Sequence, residues 1–186
     1  MACGYSFGSM DYFWIRQDKR HIYGPMITNL RDIVWKREEI TAGNGKSIPD
    51  ISLGFIQDQK EIDFVDILDS QVFLISEGMK EVFELYEPAL KVKTVCMLDN
   101  LHGRYANYYI PLLAKINCLS RHSLLTPDRS QVKKLVLNAK AQYPYSVFQV
   151  AGVGSDVVVA RLDVMESLLR RKITDFCYTL VELRDE

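Results

Sequence analysis

Cys118 and His122 form a C-x3-H element with Ser120 and Ser123 beside them. An imidazole can draw the proton from a thiol, so the pair could serve a hydrolase that uses a cysteine nucleophile. Such pairs are usually assembled across a fold rather than by local spacing, and a packing thiol is the plain reading of Cys118. The same two residues offer zinc two ligands where three or four are needed, and His21 and His102 stand apart. Cys3, Cys96, Cys118 and Cys177 are widely separated with no CxxC, the pattern of free, buried thiols in a cytosolic protein. The expectation is no catalytic residue, no metal and no cofactor.

Two glycine-containing stretches invite a phosphate reading and fail it. Gly43-Asn44-Gly45-Lys46-Ser47 ends like a P-loop, but Ile40 stands where the first glycine belongs and Pro49 follows too soon for a helix. Gly152-Val153-Gly154 lacks the third glycine of a dinucleotide fingerprint and leads into a strand-like run. Both read as surface loops.

The carboxylates Asp58, Glu61, Asp63, Asp66 and Asp69 crowd one segment. They lack the glycine and ligand order of an EF-hand. A solvated face is the bland interpretation; the functional one is electrostatic recognition of a basic protein partner, which would steer encounter. A second cluster, Tyr105, Tyr108, Tyr109, Tyr143 and Tyr145, suits either an interface or a half-buried sheet, and its place on strand-like runs favours the sheet.

The elements that must position these groups are clearest from Gln71 to Leu98. Val72 to Ile75 reads as a strand and Ser76 as an N-cap. Met79, Val82, Phe83 and Tyr86 then recur at i, i+3, i+4 and i+7, one buried helical face. Pro88 ends the helix and Leu90 to Leu98 is a strand. Val157 to Val159, Arg161 to Arg171 and Phe176 to Leu183 repeat strand, helix and strand, a hint of internal duplication. Further strands are expected at Tyr12 to Arg16, Ile51 to Ile56, Arg104 to Pro111, Val132 to Leu137 and Val147 to Val150, with a short apolar run at Ile116 to Leu119. Leu30 to Arg37 suits a helix or a strand equally.

The chain has 186 residues and a formal net charge of −1, which argues against a general nucleic-acid binder. Residues 1–70 carry 8 basic and 11 acidic side chains and residues 71–186 carry 15 and 13, so no basic region stands out. Hydrophobic residues make up 48%, enough for a substantial core. No signal peptide and no membrane-length apolar run is visible. The expected fold is α+β, one domain over 1–186. It has an irregular subregion at 1–66 and a core at 67–186, built from a mixed, mainly antiparallel sheet with two packed amphipathic helices.

From about Asp63 to Leu183 the order of these elements resembles a bacterial family of immunity proteins from polymorphic toxin systems. The likeness runs through DFVDILDSQVFLIS, the helix bearing Lys80, Glu81, Glu84 and Tyr86, LKVKTVCML, RYANYYIPLLAKINCLS, QVKKLVLNAK and VFQVAG. It ends in VVVARLDVMESLLRRKITDFCYTLVEL. Before the last helix this chain has Ala160-Arg161-Leu162-Asp163 where the family usually has a serine-like cap. The resemblance implies a non-catalytic cytoplasmic protein that binds and occludes a cognate toxin. It carries over no contact residues, so Asp58, Glu61, Asp63, Asp66 and Asp69 remain the candidates for the partner surface on charge alone.

Overall fold

The computed structural model describes residues 10–34 and 36–185. In chain order its elements are β1 (Tyr12–Arg16), α1 (Leu30–Ile33), a 3-10 turn (Arg37–Glu39), β2 (Ile51–Phe55), β3 (Ile67–Leu68), β4 (Leu74–Ile75), α2 (Glu77–Tyr86), β5 (Val92–Asp99) and β6 (Arg104–Pro111). There follow β7 (Lys115–Ile116), β8 (Leu124–Leu125), β9 (Val132–Lys134), β10 (Val136–Asn138), β11 (Val147–Val150), β12 (Val158–Arg161), α3 (Leu162–Arg170), β13 (Cys177–Leu180) and β14 (Glu182–Arg184). The fold is α+β and mainly antiparallel. Its strands form two five-stranded sheets, ordered β13-β1-β12-β11-β7 and β2-β5-β6-β4-β3, with two-stranded pairs β10-β14 and β8-β9 beside them.

The helices form where apolar spacing demands a partner. In α2, Met79, Val82 and Phe83 are buried while Tyr86 is only partly so. Ser76 caps the helix by accepting the Met79 N–H at 3.5 Å. In α3, Val164, Met165 and Leu168 are buried, and α2 and α3 pack together. No side chain caps α3. Instead Asp163 in its first turn accepts the Val164 N–H at 3.0 Å and pairs with Arg161 at 2.6 Å, which places a carboxylate where the helix dipole favours one.

Each helix sits inside the same supersecondary unit. β4 and β5 flank β6, which runs antiparallel to both, and α2 crosses from the first to the second. β12 and β13 flank β1, again antiparallel to both, and α3 crosses over. The suggested repeat is therefore a repeat of split β-α-β topology, with the intervening strand supplied from opposite directions along the chain. The described residues up to 66 contain much loop, yet they donate β1 to one sheet and β2 to the other.

Three apolar clusters fill the spaces. One, around Phe83, Met165 and Ile15, lies where the helices meet the sheets. A second packs Val95, Met97, Tyr108 and Ile110 against Ile33 of α1 and Ile27 and Ile48 from the loops around it. The third covers the other face of β1, β11 and β12 with Leu135, Leu137 and Val181.

Two expected strands are broken. Val132 to Leu137 divides around buried Leu135, with β9 joining β8 and β10 joining β14. Phe176 to Leu183 divides at Val181, whose N–H donates to the Tyr12 carbonyl at 2.8 Å as the chain leaves one sheet for a separate ribbon. Leu30–Ile33 is one helical turn followed by extended Val34, and Arg37 opens the 3-10 turn. Periodicity cannot show such changes of partner, because each half keeps a strand-like composition.

Candidate functional site

The acidic segment does not present one face. Asp66 turns inward: its Oδ1 accepts the Ser76 hydroxyl at 2.7 Å and its Oδ2 accepts the Asp175 N–H at 2.9 Å. Asp69 accepts the Gln17 N–H at 3.0 Å, while the Gln17 side chain accepts the Asp69 N–H at 3.2 Å. Burial pushes the Asp69 carboxyl above its ordinary value. Asp63 lies 3.6 Å from His21. Only Asp58 and Glu61 are exposed.

Glu61 and Asp63 border a shallow depression of about 390 Å³ with Lys60, His102 and Arg104. Below it the buried Asp99 carboxylate takes Arg104 Nε at 2.7 Å and His102 Nδ1 at 2.9 Å. Burial would raise the Asp99 carboxyl, but these hydrogen bonds outweigh it and hold the group below its usual value. Cations and carboxylates alternate here, so the depression has no uniform acidic field.

The nucleophile pair is not assembled. Cys118 is buried and its thiol donates to the Ile116 carbonyl at 3.5 Å. His122 is exposed, and its backbone N–H donates to Ser120 Oγ at 3.1 Å. No hydrogen bond joins the two side chains, and burial pushes the Cys118 thiol up to about 12, far from thiolate reactivity. Cys96 and Cys177 are free and half-buried, and Cys3 lies outside the described residues. Among the described residues no group of three or more His, Cys, Asp or Glu is placed to hold a metal ion, and no helix is long and apolar enough to cross a membrane.

The glycine stretches are turns. Gly45 and Gly152 have φ of +87° and +83°, and no helix follows Lys46. Of the tyrosines, Tyr108 is buried with its hydroxyl on the Val65 carbonyl at 2.6 Å, Tyr109 lies under α2, and Tyr143 stacks among Tyr12 and Phe148. Tyr105 and Tyr145 are exposed.

Charge counting does not find a second concavity. A groove of about 680 Å³ runs along β1 and β13, walled by Trp14, Arg16, Lys19, Asp69, Lys133 and Asp156. A second hollow of about 290 Å³ shares Trp14, Arg16 and Lys133 and continues past Thr179, Leu180 and Glu182. Strand alternation sets Tyr12, Trp14 and Arg16 on one side of β1. Tyr12 is buried at one end, and Trp14 and Arg16 emerge into the groove. The Arg16 guanidinium lies 4.3 Å from the Trp14 ring centroid, and its Nη2 donates to Thr179 Oγ1 at 3.2 Å, which fixes both side chains.

Acids and bases are balanced in number along the groove but not in occupation. Asp18 is paired with Arg20 and Glu182 with Lys134 and Arg184, whereas Asp156 and Asp69 accept from neutral N–H donors, Gln149 at 2.7 Å and Gln17 at 3.0 Å. Lys133 lines the groove and forms no ion pair among the described residues, and Arg16 donates to a neutral hydroxyl. Of the expected acidic residues, Asp69 alone reaches this groove. The available signal was the W-x-R spacing in a strand, which places an aromatic ring and a cation side by side.

No protein-family model matches the chain, and no curated protein is significantly similar to it.

Proposed function

We propose that this chain is an immunity protein that binds a cognate toxin protein in the cytoplasm and occludes its active surface, without chemistry of its own. The observation that carries the reading is the fixed Trp14–Arg16 pair on the wall shared by the two hollows. Trp and Arg are the residue types most enriched where protein interfaces concentrate their energy, and they work best when held rigid in a concave, desolvating setting. Asp18 and Glu182 are paired with cations, which leaves Arg16, Lys19 and Lys133 against Asp69 and Asp156 on the wall, so the groove fits an acidic segment of the partner better than a basic one. That moves the main contact from Asp58, Glu61, Asp63 and Asp66 to the β1–β13 edge and keeps only Asp69. The ordered element likeness to immunity proteins supports the same reading.

The test is protection. If a gene beside this one encodes a large secreted protein, its toxic domain is expressed with and without this chain, and complex formation is measured with purified proteins; a neighbourhood with no such gene counts against the reading. Growth should be rescued by the wild-type chain. Trp14→Ala and Arg16→Ala should each weaken the complex by about 2 kcal/mol or more, roughly 30-fold, with circular dichroism unchanged. Absence of both rescue and complex would overturn the reading; rescue unaffected by either substitution would remove the groove from it.

A further inference from the structure

β2 reverses the usual pattern of a one-sided strand. Its inward positions are Ser52 and Gly54, and a Cβ on Gly54 would stand 3.2 Å from Val95 Cγ1. Its outward positions are Ile51, Leu53 and Phe55, which are 72, 54 and 41% exposed. In a sheet covered on one side, the outward positions are normally polar. Register sets these three beside Thr94, Cys96 and Leu98 of β5, and those beside Tyr109, Asn107 and Tyr105 of β6. α2 covers the Tyr109 end, where Lys80 Nζ lies 4.6 Å over the ring. At the other end Tyr105 is 69% exposed.

We propose that this sheet face is the contact between two copies of this chain, packed face to face about a two-fold axis. Three features select that occupant. None of the nine side chains named in those three rows carries a formal charge, so a copy of the face meets no like-charge penalty when turned upon itself, as an isologous contact requires. The area is adequate. At about 150–250 Å² for a large side chain, the exposed parts of Ile51, Leu53, Phe55 and Tyr105 alone leave on the order of 500 Å² to water. Half-buried Cys96 and Leu98 extend the patch toward the about 800 Å² per partner of a standard interface. Finally, the free edge of β2 is plugged. Asn29 donates its amide to the Leu53 carbonyl at 2.9 Å and accepts the Phe55 N–H at 2.9 Å, and Thr28 donates its N–H to the Phe55 carbonyl at 2.8 Å. That blocks open-ended strand addition along this stretch and leaves a face contact, which closes at two copies. Of the other exposed apolar residues, Tyr178 and Leu180 alternate on β13 as a row of two, and Ile22 and Leu124 stand on separate elements.

This inference does not rest on the immunity reading, and the groove plays no part in it. Sedimentation equilibrium of the full chain alone, at micromolar concentration and moderate salt, should give twice the 21.4 kDa chain mass. Leu53→Lys puts two cations at the seam and should raise the dimer dissociation constant at least about 30-fold. Tyr105→Lys, on the most exposed ring of the patch, should do the same and decides the matter should Leu53→Lys fail to fold. A wild-type chain that stays at 21.4 kDa, or a dimer that survives both substitutions with circular dichroism intact, overturns the proposal. So does a monomer whose face is covered only when the toxin binds.

Discussion

Asp66→Ala should loosen the join between the two split β-α-β units. The carboxylate receives the Ser76 hydroxyl at 2.7 Å and the Asp175 N–H at 2.9 Å, linking the start of α2 to the segment that enters β13. The main-chain bonds between the same residues, Ser76 N–H to Asp66 carbonyl at 2.9 Å and Asp66 N–H to Asp175 carbonyl at 3.1 Å, survive the substitution. A hydrogen bond to a charged acceptor contributes about 1.5–3 kcal/mol. Asp66 is half-buried and Asp175 exposed, so water recovers part of each. Ser76 would also lose the group that orients its hydroxyl, and a serine cap is itself worth about 1 kcal/mol; here its 3.5 Å bond to Met79 is long. The net expectation is a loss of about 2–3 kcal/mol. For a chain of this size that is roughly 5–10 °C in Tm. Urea unfolding at pH 7 should show a lower midpoint at unchanged slope. Asp66→Asn, which keeps one acceptor, should fall between the two. A change below about 0.5 kcal/mol, well under the value for one such bond, would refute this role. If partner affinity fell instead, Asp66 would belong to the binding surface after all.

Phe83 is fully buried where both helices meet, so Phe83→Ala should cost about 3–5 kcal/mol by the same assay. Asp69 tests the sign of burial. Its carboxyl is raised, so the native state holds that proton more tightly than the unfolded chain does. The resulting stability is complete below the ordinary carboxyl value and is lost as pH rises through the raised one. Asp69→Asn should therefore be more stable than the wild type at pH 7, with the advantage fading in acid; a mutant less stable at pH 7 would contradict this. Cys118, whose thiol burial pushes up to about 12, should escape iodoacetamide at pH 8 in the native protein while the half-buried Cys177 reacts. Mass spectrometry before and after urea unfolding reads this directly, and native labelling of Cys118 would refute its burial.

How much of this was legible in the sequence depended on whether a residue's fate is decided locally. Ser76 and the Met79–Val82–Phe83 spacing announce α2 because cap and face lie within one helix. The Arg104 to Pro111 and Val147 to Val150 strands are bounded as expected, since their composition and turn residues act over a few positions. The breaks at Leu135 and Val181 were hidden, because a change of sheet is fixed by partners far away in sequence. The acidic segment failed for a related reason. Five carboxylates within twelve positions look like one patch only if the chain holds them on one side. Here the backbone passes through β3, and Asp66 and Asp69 are claimed by Asp175 and Gln17. A count of charges carries no information on which of them will find such partners.

Two strands bring large apolar side chains to the surface, and each does so at one of the two proposed contacts. In β1, Trp14 emerges beside Arg16 while Tyr12 and Ile15 fill the clusters on opposite faces of the strand. In β2, small residues point in and large apolar ones point out. The outward row of β2 does not help the isolated chain, since exposed apolar area is a solubility cost, whereas Trp14 is partly buried against the third cluster and has one side in the groove. A sequence tends to depart from consistent patterning where function asks for it. The two surfaces also differ in chemistry: one is concave, aromatic and cationic, the other flat and without charge. The first suits a different protein with complementary charge, and the second suits an identical one. They lie on different sheets, so Arg16→Ala should leave the mass in solution unchanged and Leu53→Lys should leave protection against the toxin unchanged. If both properties fell together in either variant, the two surfaces would be parts of one interface, and the separate assignments would be wrong.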